Sequence, residues 1–502
     1  MRERVRSWYA KAKDSAIGSS FDTHVVGGYR FLMRFYHPND QIYIFGFSRG
    51  AYTARFLAEM LDHVGLLSHG NEEMIFFAWK TFSQWQCRSA DSTPEAKAKR
   101  HELFQFMKGF RETFSRPVRR IQFLGLFDTV NSVPRFETAW MQRSKFPYTA
   151  KSSARVIRHA VSIDERRAKF RQDLMYQQKP KRAGNGGHHF QWRKHVGAGK
   201  ASHMDEKQPE QDRGRHSRPT SLVVPYDDEM NDRYRCRSRS PSRAPKRRTS
   251  LDGHSVASQC AFSEAGYDAE EDEVPDVDEV WFAGCHADVG GGWDAEPGQK
   301  AISHIPLMWM VREAAKAGLD FDPEKAIAAG CGESIQDVGR HGPMPVPDIQ
   351  INCTSPSSPV TTESKKTAVK DQVLEMIEKA HLSRIHDCLD FKGGLSMGSV
   401  LSWRIMEYLP FRRMDLQEDG SWKPIRWPLP CGEVRDVPEN VRVHGSVIRR
   451  MREDQSYRPG NLIVGGGGRG CRVAPEEHGI GKWVCVSGNE GHIGEIWMKE
   501  TE

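Results

Sequence analysis

The sequence lacks any apolar stretch long enough to cross a lipid bilayer. Its longest apolar run, Ile305–Val311, spans about seven residues, whereas a transmembrane helix needs about 20. The N-terminal residues 1–15 are basic, and no apolar segment follows them, so we expect no secretory signal peptide. These absences exclude a transmembrane protein.

The cysteines lack the spacing of a metal site or of a disulfide scaffold. All 10 cysteines are scattered singly, and none forms a Cys-x-x-Cys pair. This spacing argues against structural zinc and against a small secreted disulfide-rich fold. Carboxylates with calcium or zinc spacing are also lacking. We therefore expect no metal or cofactor, and we expect reduced cysteines in a cytoplasmic protein.

The chain is also poor in hydrophobic residues, at 38%, which indicates a folded body plus a substantial polar segment. Residues 179–250 contain 18 Lys/Arg and 8 Asp/Glu, with Arg-Ser repeats at Arg235–Arg243, and an acidic run follows at Glu270–Glu279. Such a composition buries too little apolar surface to fold. We predict a disordered insertion over 179–273 and a second polar linker over 341–370.

The residues that carry chemistry begin at a strand-turn-helix pattern. Gln41–Phe45 has the composition of a buried strand, and apolar residues at helical spacing fill 51–66. Between them lies Gly46-Phe47-Ser48-Arg49-Gly50, a G-x-S-x-G motif. In this context the turn exposes a nucleophilic serine, and its flanking glycines remove side chains that would collide. The alternative is a glycine-rich turn in which Ser48 caps the helix.

A serine nucleophile needs a base and an orienting acid. Asp128 follows the strand-like run 121–127, and His286 follows a shorter run at 280–282. Both would lie at the carboxyl ends of strands, where open α/β sheets place their sites. The order Ser48, Asp128, His286 is that of α/β-hydrolases. Asp128 could alternatively be a turn residue, Asp288 could be the orienting acid or could fix the triglycine loop after it, and His444 is a reserve base.

Four segments in this order resemble the DUF2235 family, which includes the catalytic domain of type VI secretion phospholipase effectors. They are GFSRGAYTAR, LGLFDTV, HAVSIDERRAKF at 159–170, and VWFAGCHADVGGGW. The resemblance implies an α/β-hydrolase fold with a mostly parallel sheet and flanking helices. It also implies ester hydrolysis by Ser48, Asp128 and His286, with the backbone N–H of Arg49 in the oxyanion hole and phospholipid as the characterised substrate class.

The chain departs from the family in two respects. Family members usually open with a strand ending in Asp-Gly-Thr before the serine motif, and this chain has none, so we expect it to be N-terminally short and to lack one oxyanion donor. The Arg-Ser insertion is foreign to bacterial effectors and suggests a eukaryotic intracellular homologue. We expect a hydrolase core at 1–178 and 274–340. We expect residues 371–502 to form a lid or acyl-binding surface or to cap that core.

The leading hypothesis is a serine ester hydrolase that acts on lipid or phospholipid and contacts the membrane peripherally. The second is an inactive hydrolase fold whose segment 179–250 binds RNA or acidic partners, in the cytoplasm or the nucleus. A third, a small-molecule carboxylesterase, shares the same three residues and differs only in the size of its pocket.

Overall fold

The computed structural model describes residues 21–86, 94–130, 154–175, 275–332, 334–335, 379–408, 413–416, 422–425, 432–438, 440–465, 471–488 and 493–500. The predicted disordered insertion at 179–273 and the predicted linker at 341–370 lie outside these residues.

A mostly parallel sheet forms the centre of the described structure. Its strands, in chain order, are β1 (Tyr43–Phe47), β4 (Phe123–Phe127), β5 (Val156–Ser162), β6 (Asp276–Phe282), β9 (Arg442–His444), β10 (Trp483–Ser487) and β11 (Ile496–Lys499). Across the sheet the order is β1-β4-β5-β6-β9-β11-β10. The first five strands are parallel neighbours, and the last two pairings are antiparallel. Two small hairpin-like pairs lie outside this sheet: β2 (Leu66–Leu67) with β3 (Ser115–Arg116), and β7 (Arg413–Leu416) with β8 (Trp422–Ile425).

Helices pack against this sheet. They are α1 (Phe21–Phe35), α2 (Arg49–Val64), α3 (Ile75–Gln86), α4 (Pro94–Phe114), α5 (His286–Gly290), α6 (His304–Lys316), α7 (Pro323–Ala328), α8 (Met397–Glu407), α9 (Gly445–Glu453) and α10 (Gly460–Ile463). One buried cluster joins α1–α4 to β1 and β4, and another joins α6, α9 and α10 to β5, β6, β9 and β11. The α/β fold predicted from the sequence is confirmed.

The parallel pairing places the carboxyl ends of β1, β4 and β6 at one edge of the sheet. These strands differ in burial. The first four residues of Phe123–Phe127 are buried, whereas β1, which the sequence predicts to be a buried strand, is mostly half-buried and its Phe45 is exposed. The reason is that β1 is an edge strand of the described sheet, paired with β4. Gly125 is required here, because a Cβ at that position would lie 2.5 Å from the Phe45 ring in the neighbouring strand. Ser48, Asp128 and His286, which come shortly after the ends of these three strands, therefore lie close together.

The C-terminal region differs from the sequence-based expectation. The sequence predicts that residues 371–502 form a lid or acyl-binding surface or cap the core, yet β9, β10 and β11 belong to the central sheet. The short strand β9 pairs in parallel with β6 through Val443 and Trp281. A three-residue strand carries too weak a periodic signal to be recognised from sequence. No described helix has the length and apolar composition needed to cross a membrane.

Candidate active site

Ser48 lies in a strained turn between β1 and α2. Its φ is 60°, and Ser48 and Asp128 are the non-glycine residues with positive φ in the described part of the chain. Strained residues of this kind cluster at functional sites. The Ser48 side chain does not cap α2, so the capping interpretation fails. A Cβ at Gly46 would lie 2.5 Å from the Gly50 oxygen, whereas one at Gly50 would meet nothing within 4 Å, so only Gly46 is required by packing.

His286 joins Ser48 to Asp128. Its Nε2 lies 2.7 Å from the Ser48 Oγ, and its Nδ1 lies 2.5 Å from the Asp128 Oδ2. This geometry fits a tautomer in which Nδ1–H donates to the carboxylate and Nε2 accepts the serine hydroxyl proton. The imidazole is held at the first residue of α5, after strand β6. The structure thus brings together the three residues that the sequence predicted for nucleophile, acid and base.

Asp128 is fully buried and is surrounded by donors. The Ser162 backbone N–H donates to its Oδ1 at 2.8 Å, and the Ser162 hydroxyl donates to its Oδ2 at 3.1 Å. Arg435 donates to both oxygens, with Nη1–Oδ1 at 2.6 Å and Nη2–Oδ2 at 2.9 Å. Burial would raise the pKa of Asp128, but Arg435 and His286 outweigh it and lower that pKa below its usual range. The carboxylate is therefore held ionised.

Two aromatic rings hold the imidazole of His286 in place. The Phe47 ring lies 4.7 Å from it and the Phe170 ring 4.8 Å, measured between ring centroids. Phe47 comes from the serine turn itself, and its ring packs against Gly290, where a Cβ would lie 1.9 Å from it. The first glycine of the triglycine loop is therefore needed for this close approach, because any side chain would displace Phe47.

The loop after β5 holds the backbone at and before His286 through hydrogen bonds. Glu165 is buried, accepts the His286 backbone N–H at 3.2 Å and pairs with Arg167 at 2.7 Å. Asp164 accepts the Gly284 N–H at 2.7 Å and the Tyr457 hydroxyl at 2.9 Å. Enclosure by protein raises the pKa of Asp164 to about 6. Glu165 and Asp164 therefore fix the backbone of residues 284–286, which positions the imidazole of His286.

Asp288 supports the site without touching the imidazole of His286. Its Oδ2 accepts the Cys285 N–H at 2.9 Å, which caps α5, and the His386 N–H at 2.9 Å. Its Oδ1 lies 2.7 Å from the His386 Nδ1, and the His386 ring stacks on Trp293 at 4.3 Å. These bonds hold the start of α5 and link it to the C-terminal region, whereas the role predicted for Asp288 in fixing the triglycine loop stays a prediction. Asp128, not Asp288, contacts the histidine ring.

The remaining candidates separate by position. Arg49 opens α2 directly after Ser48, which places its backbone N–H in the first turn of that helix. His444 lies elsewhere: it is buried, its Nε2 lies 2.9 Å from the Ile493 oxygen, and burial lowers its pKa to about 4. Within the described residues no group of three or more metal-binding side chains occurs.

Sequence reasoning missed Arg435, Glu165 and Phe170 as members of this site. Glu165 and Phe170 lie within the 159–170 segment that carried the resemblance, but nothing in the spacing assigned them a role. Arg435 stands in a segment without a recognisable motif, 307 residues after its partner Asp128. Only the three-dimensional contact identifies it.

Two comparisons with known proteins found a match. The model of the family described as T6SS, phospholipase effector Tle1-like, catalytic domain matches residues 1–313. The uncharacterized protein YEL023C of Saccharomyces cerevisiae is 30% identical over 497 residues, which cover 89% of this chain and 70% of that protein. No solved structure matches the chain.

Proposed function

Because the chain belongs to the family of type VI secretion Tle1-like phospholipase catalytic domains, we propose that it is a serine ester hydrolase of lipid or phospholipid acyl esters. The observation that carries the proposal is the unbroken chain of contacts from Ser48 through His286 to Asp128. Strain at Ser48 and the buried, ionised Asp128 support it further.

The proposed reaction has two halves. As the Ser48 Oγ attacks the acyl carbon, its proton passes to the Nε2 of His286 and the carbonyl oxygen becomes an oxyanion. The C–O bond to the alcohol then breaks, and His286 returns the proton to the departing alcohol. Water attacks the acyl-enzyme in the same way, giving its proton to His286, and Ser48 takes that proton back as the carboxylic acid leaves.

Two groups would stabilise charge during these steps. Asp128 would hold the imidazolium form of His286 through Nδ1. The backbone N–H of Arg49, at the start of α2, would donate to the oxyanion, where the helix N-terminus also favours negative charge.

Helix α8 supports a lipid substrate over a small soluble ester. Met397, Leu401 and Ile405 follow one another at four-residue spacing, and their side chains are 74%, 54% and 55% exposed. At about 100° per residue they fall within an arc of about 80°. On another face of the helix the Trp403 ring packs 5.5 Å from the Phe170 ring, which in turn contacts His286. An exposed apolar stripe beside the site is typical of contact with a lipid surface.

The direct test is release of fatty acid from phospholipid vesicles by the purified full chain, with Ser48→Ala as the matched control. We expect fatty acid release by the unaltered chain and none above background by the variant. Equal release by both would contradict the proposal. Hydrolysis of a short soluble ester without any release from vesicles would support the small-molecule esterase instead.

A further inference from the structure

Arg435 lies beyond the family match and donates two hydrogen bonds to the proposed acid, Asp128. Its guanidinium and the Asp128 carboxylate are both fully shielded from solvent, and they form two parallel hydrogen bonds of 2.6 and 2.9 Å. The same guanidinium donates to the Ser162 oxygen at 3.1 Å and to the Phe170 oxygen at 2.6 Å. Arg435 therefore links Asp128 to the end of β5 and to the backbone of Phe170, the residue whose ring packs on His286.

The segment around Arg435 is itself fixed to the loop after β5. Arg171 donates to the Val434 oxygen at 2.7 Å and to Glu433 at 2.8 Å, and Gln172 donates to the Asp436 oxygen at 2.8 Å. The amide of Asn461 donates to the Arg435 oxygen at 3.2 Å and to the Ile163 oxygen at 3.1 Å. The backbone of Arg435 is thus held on both sides of the residue.

We propose that Arg435 is a positioning residue of the hydrolase, which fixes the orientation and the charge of Asp128 so that the acid can serve His286. The inference rests on the proposed function. It implies that the site is completed only by residues beyond 313, where the family match ends.

The physical reason is the burial of the carboxylate. An ionised carboxylate without a partner is strongly disfavoured in a dry interior, and it would be protonated instead. A bidentate arginine offsets that penalty and also sets the plane of the carboxylate, which a point charge cannot do. Ser162 alone supplies two neutral donors, which stabilise a carboxylate less than an ion pair does.

The pH dependence of labelling is set by all the charged groups that surround Asp128 and His286. Asp128 is faced by His286 from α5 and by Arg435 from the C-terminal segment. The pair Glu165–Arg167 lies behind the His286 backbone, and His159 in β5 contacts the Thr129 N–H and Glu279. In the chain with Arg435 replaced, these other groups stay in place. The change in profile therefore reports the Arg435–Asp128 pair.

The first test is the rate at which a fluorophosphonate labels the full chain, measured against pH. Arg435→Gln removes the cation that lowers the pKa of Asp128, so the buried Asp128–His286 pair should bind a proton more tightly. The acid limb of the profile should therefore move to higher pH, by about 1 pH unit or more. Arg435→Lys keeps the charge but not the two parallel bonds. It should leave the acid limb near its original position and lower the plateau rate.

Arg450→Gln is the matched control. Arg450 is also a buried arginine of the C-terminal region, but it donates to the backbone oxygens of His381 and Ser383 and not to Asp128. Its replacement should lower the melting temperature without moving the acid limb. An Arg435→Gln profile with an unmoved acid limb, or an equal movement in Arg450→Gln, would overturn the proposal.

A second measurement does not depend on activity. Arg435→Gln, Asp128→Asn and the double variant are compared by thermal unfolding, so that the pair's coupling is isolated. Each single variant leaves one buried charge without its partner, and we expect the double variant to melt about 5 °C or more above the additive value. Additive effects would overturn the inference. A chain that shows this coupling but no labelling at any pH would contradict the proposed function alone.

Discussion

The part of the chain within the family match and the part beyond it contribute different things to the site. Residues up to 313 supply Ser48 and His286, which would exchange bonds and protons, and Asp128, which would stabilise the imidazolium. Residues after 379 supply side chains that hold these groups in place: Arg435 donates two hydrogen bonds to Asp128, and His386 pairs with Asp288. The reacting groups lie in short motifs with glycines, whereas Arg435 and His386 lie in segments without a recognisable motif.

This difference shows how the two parts depend on each other. The strained turns at Ser48 and Asp128 need a surrounding structure that holds them, and the C-terminal region provides part of it. The same region extends the central sheet through β9, β11 and β10. The C-terminal region is therefore part of the hydrolase core in the described structure, and removing it should unfold the site.

The largest expected effect is in the reacting groups themselves. Ser48→Ala removes the proposed nucleophile and His286→Ala removes the base, so each should reduce ester hydrolysis by about 10⁶-fold. Both variants should keep the circular dichroism spectrum of the unaltered chain, since neither side chain holds the core. A rate within a few-fold of the original for either variant would break the assignment.

Asp128→Asn should cause the next largest loss of turnover. An amide at this position favours the wrong tautomer of His286 and leaves Arg435 without its carboxylate, so we expect a loss of about 10⁴-fold in turnover. We also expect a destabilisation of about 3–5 kcal/mol, because a buried charge loses its partner. Steady-state kinetics and chemical denaturation measure the two losses.

Asp288→Asn provides the comparison for that variant. Asp288 caps α5 and pairs with His386 but does not contact the imidazole of His286, so its replacement should reduce turnover far less. Equal losses in the two aspartate variants would show that Asp288 shares the role proposed for Asp128.

Gly290→Ala should give an intermediate effect. The added Cβ would lie 1.9 Å from the Phe47 ring, so the ring must leave its place beside His286. We expect a destabilisation of about 1–3 kcal/mol and a rate loss of about 10–100-fold. Gly291→Ala is the control, because a Cβ there meets nothing within 4 Å and only the positive φ of 86° is strained. Thermal melting and labelling kinetics should separate the two variants.

Substitutions in the exposed apolar stripe of α8 should affect the chemical step least, and their main effect should be on binding to vesicles. Leu401→Asp should weaken binding to phospholipid vesicles by about tenfold or more, because an apolar anchor is replaced by a charge. Ile327→Asp on α7 is the matched control, since Ile327 is equally exposed, at 58%, on a different helix. Vesicle co-sedimentation of both variants in the Ser48→Ala background excludes any contribution from hydrolysis. Equal binding by the two variants would contradict a role for the stripe.

The sequence predicted the features that depend on local patterns. The strand before Ser48 and the helix after it have clear periodicity, and the helix predicted from 51 to 66 corresponds to α2, Arg49–Val64. The α/β class and the family followed from motifs of this kind. Gly50 shows the limit of such reasoning, because its place in the motif suggested a steric need that the structure does not show.

The features that could not be predicted depend on distant contacts. Arg435 meets Asp128 across 307 residues, and a single arginine in a polar segment gives no signal of burial. The membership of β9 in the central sheet rests on two residue pairs with β6, which no periodic pattern announces. The prediction of a lid or cap at 371–502 therefore omits three strands of the central sheet and the contact of Arg435 with Asp128.

The most direct test of the account is labelling of the purified full chain with a fluorophosphonate probe, followed by mass spectrometry of the labelled peptide. The probe reacts with an activated serine and does not require that the substrate be known. We predict one adduct, on Ser48, which is lost in Ser48→Ala and falls sharply in His286→Ala. A folded chain that is not labelled, or that is labelled on another serine, would contradict the account.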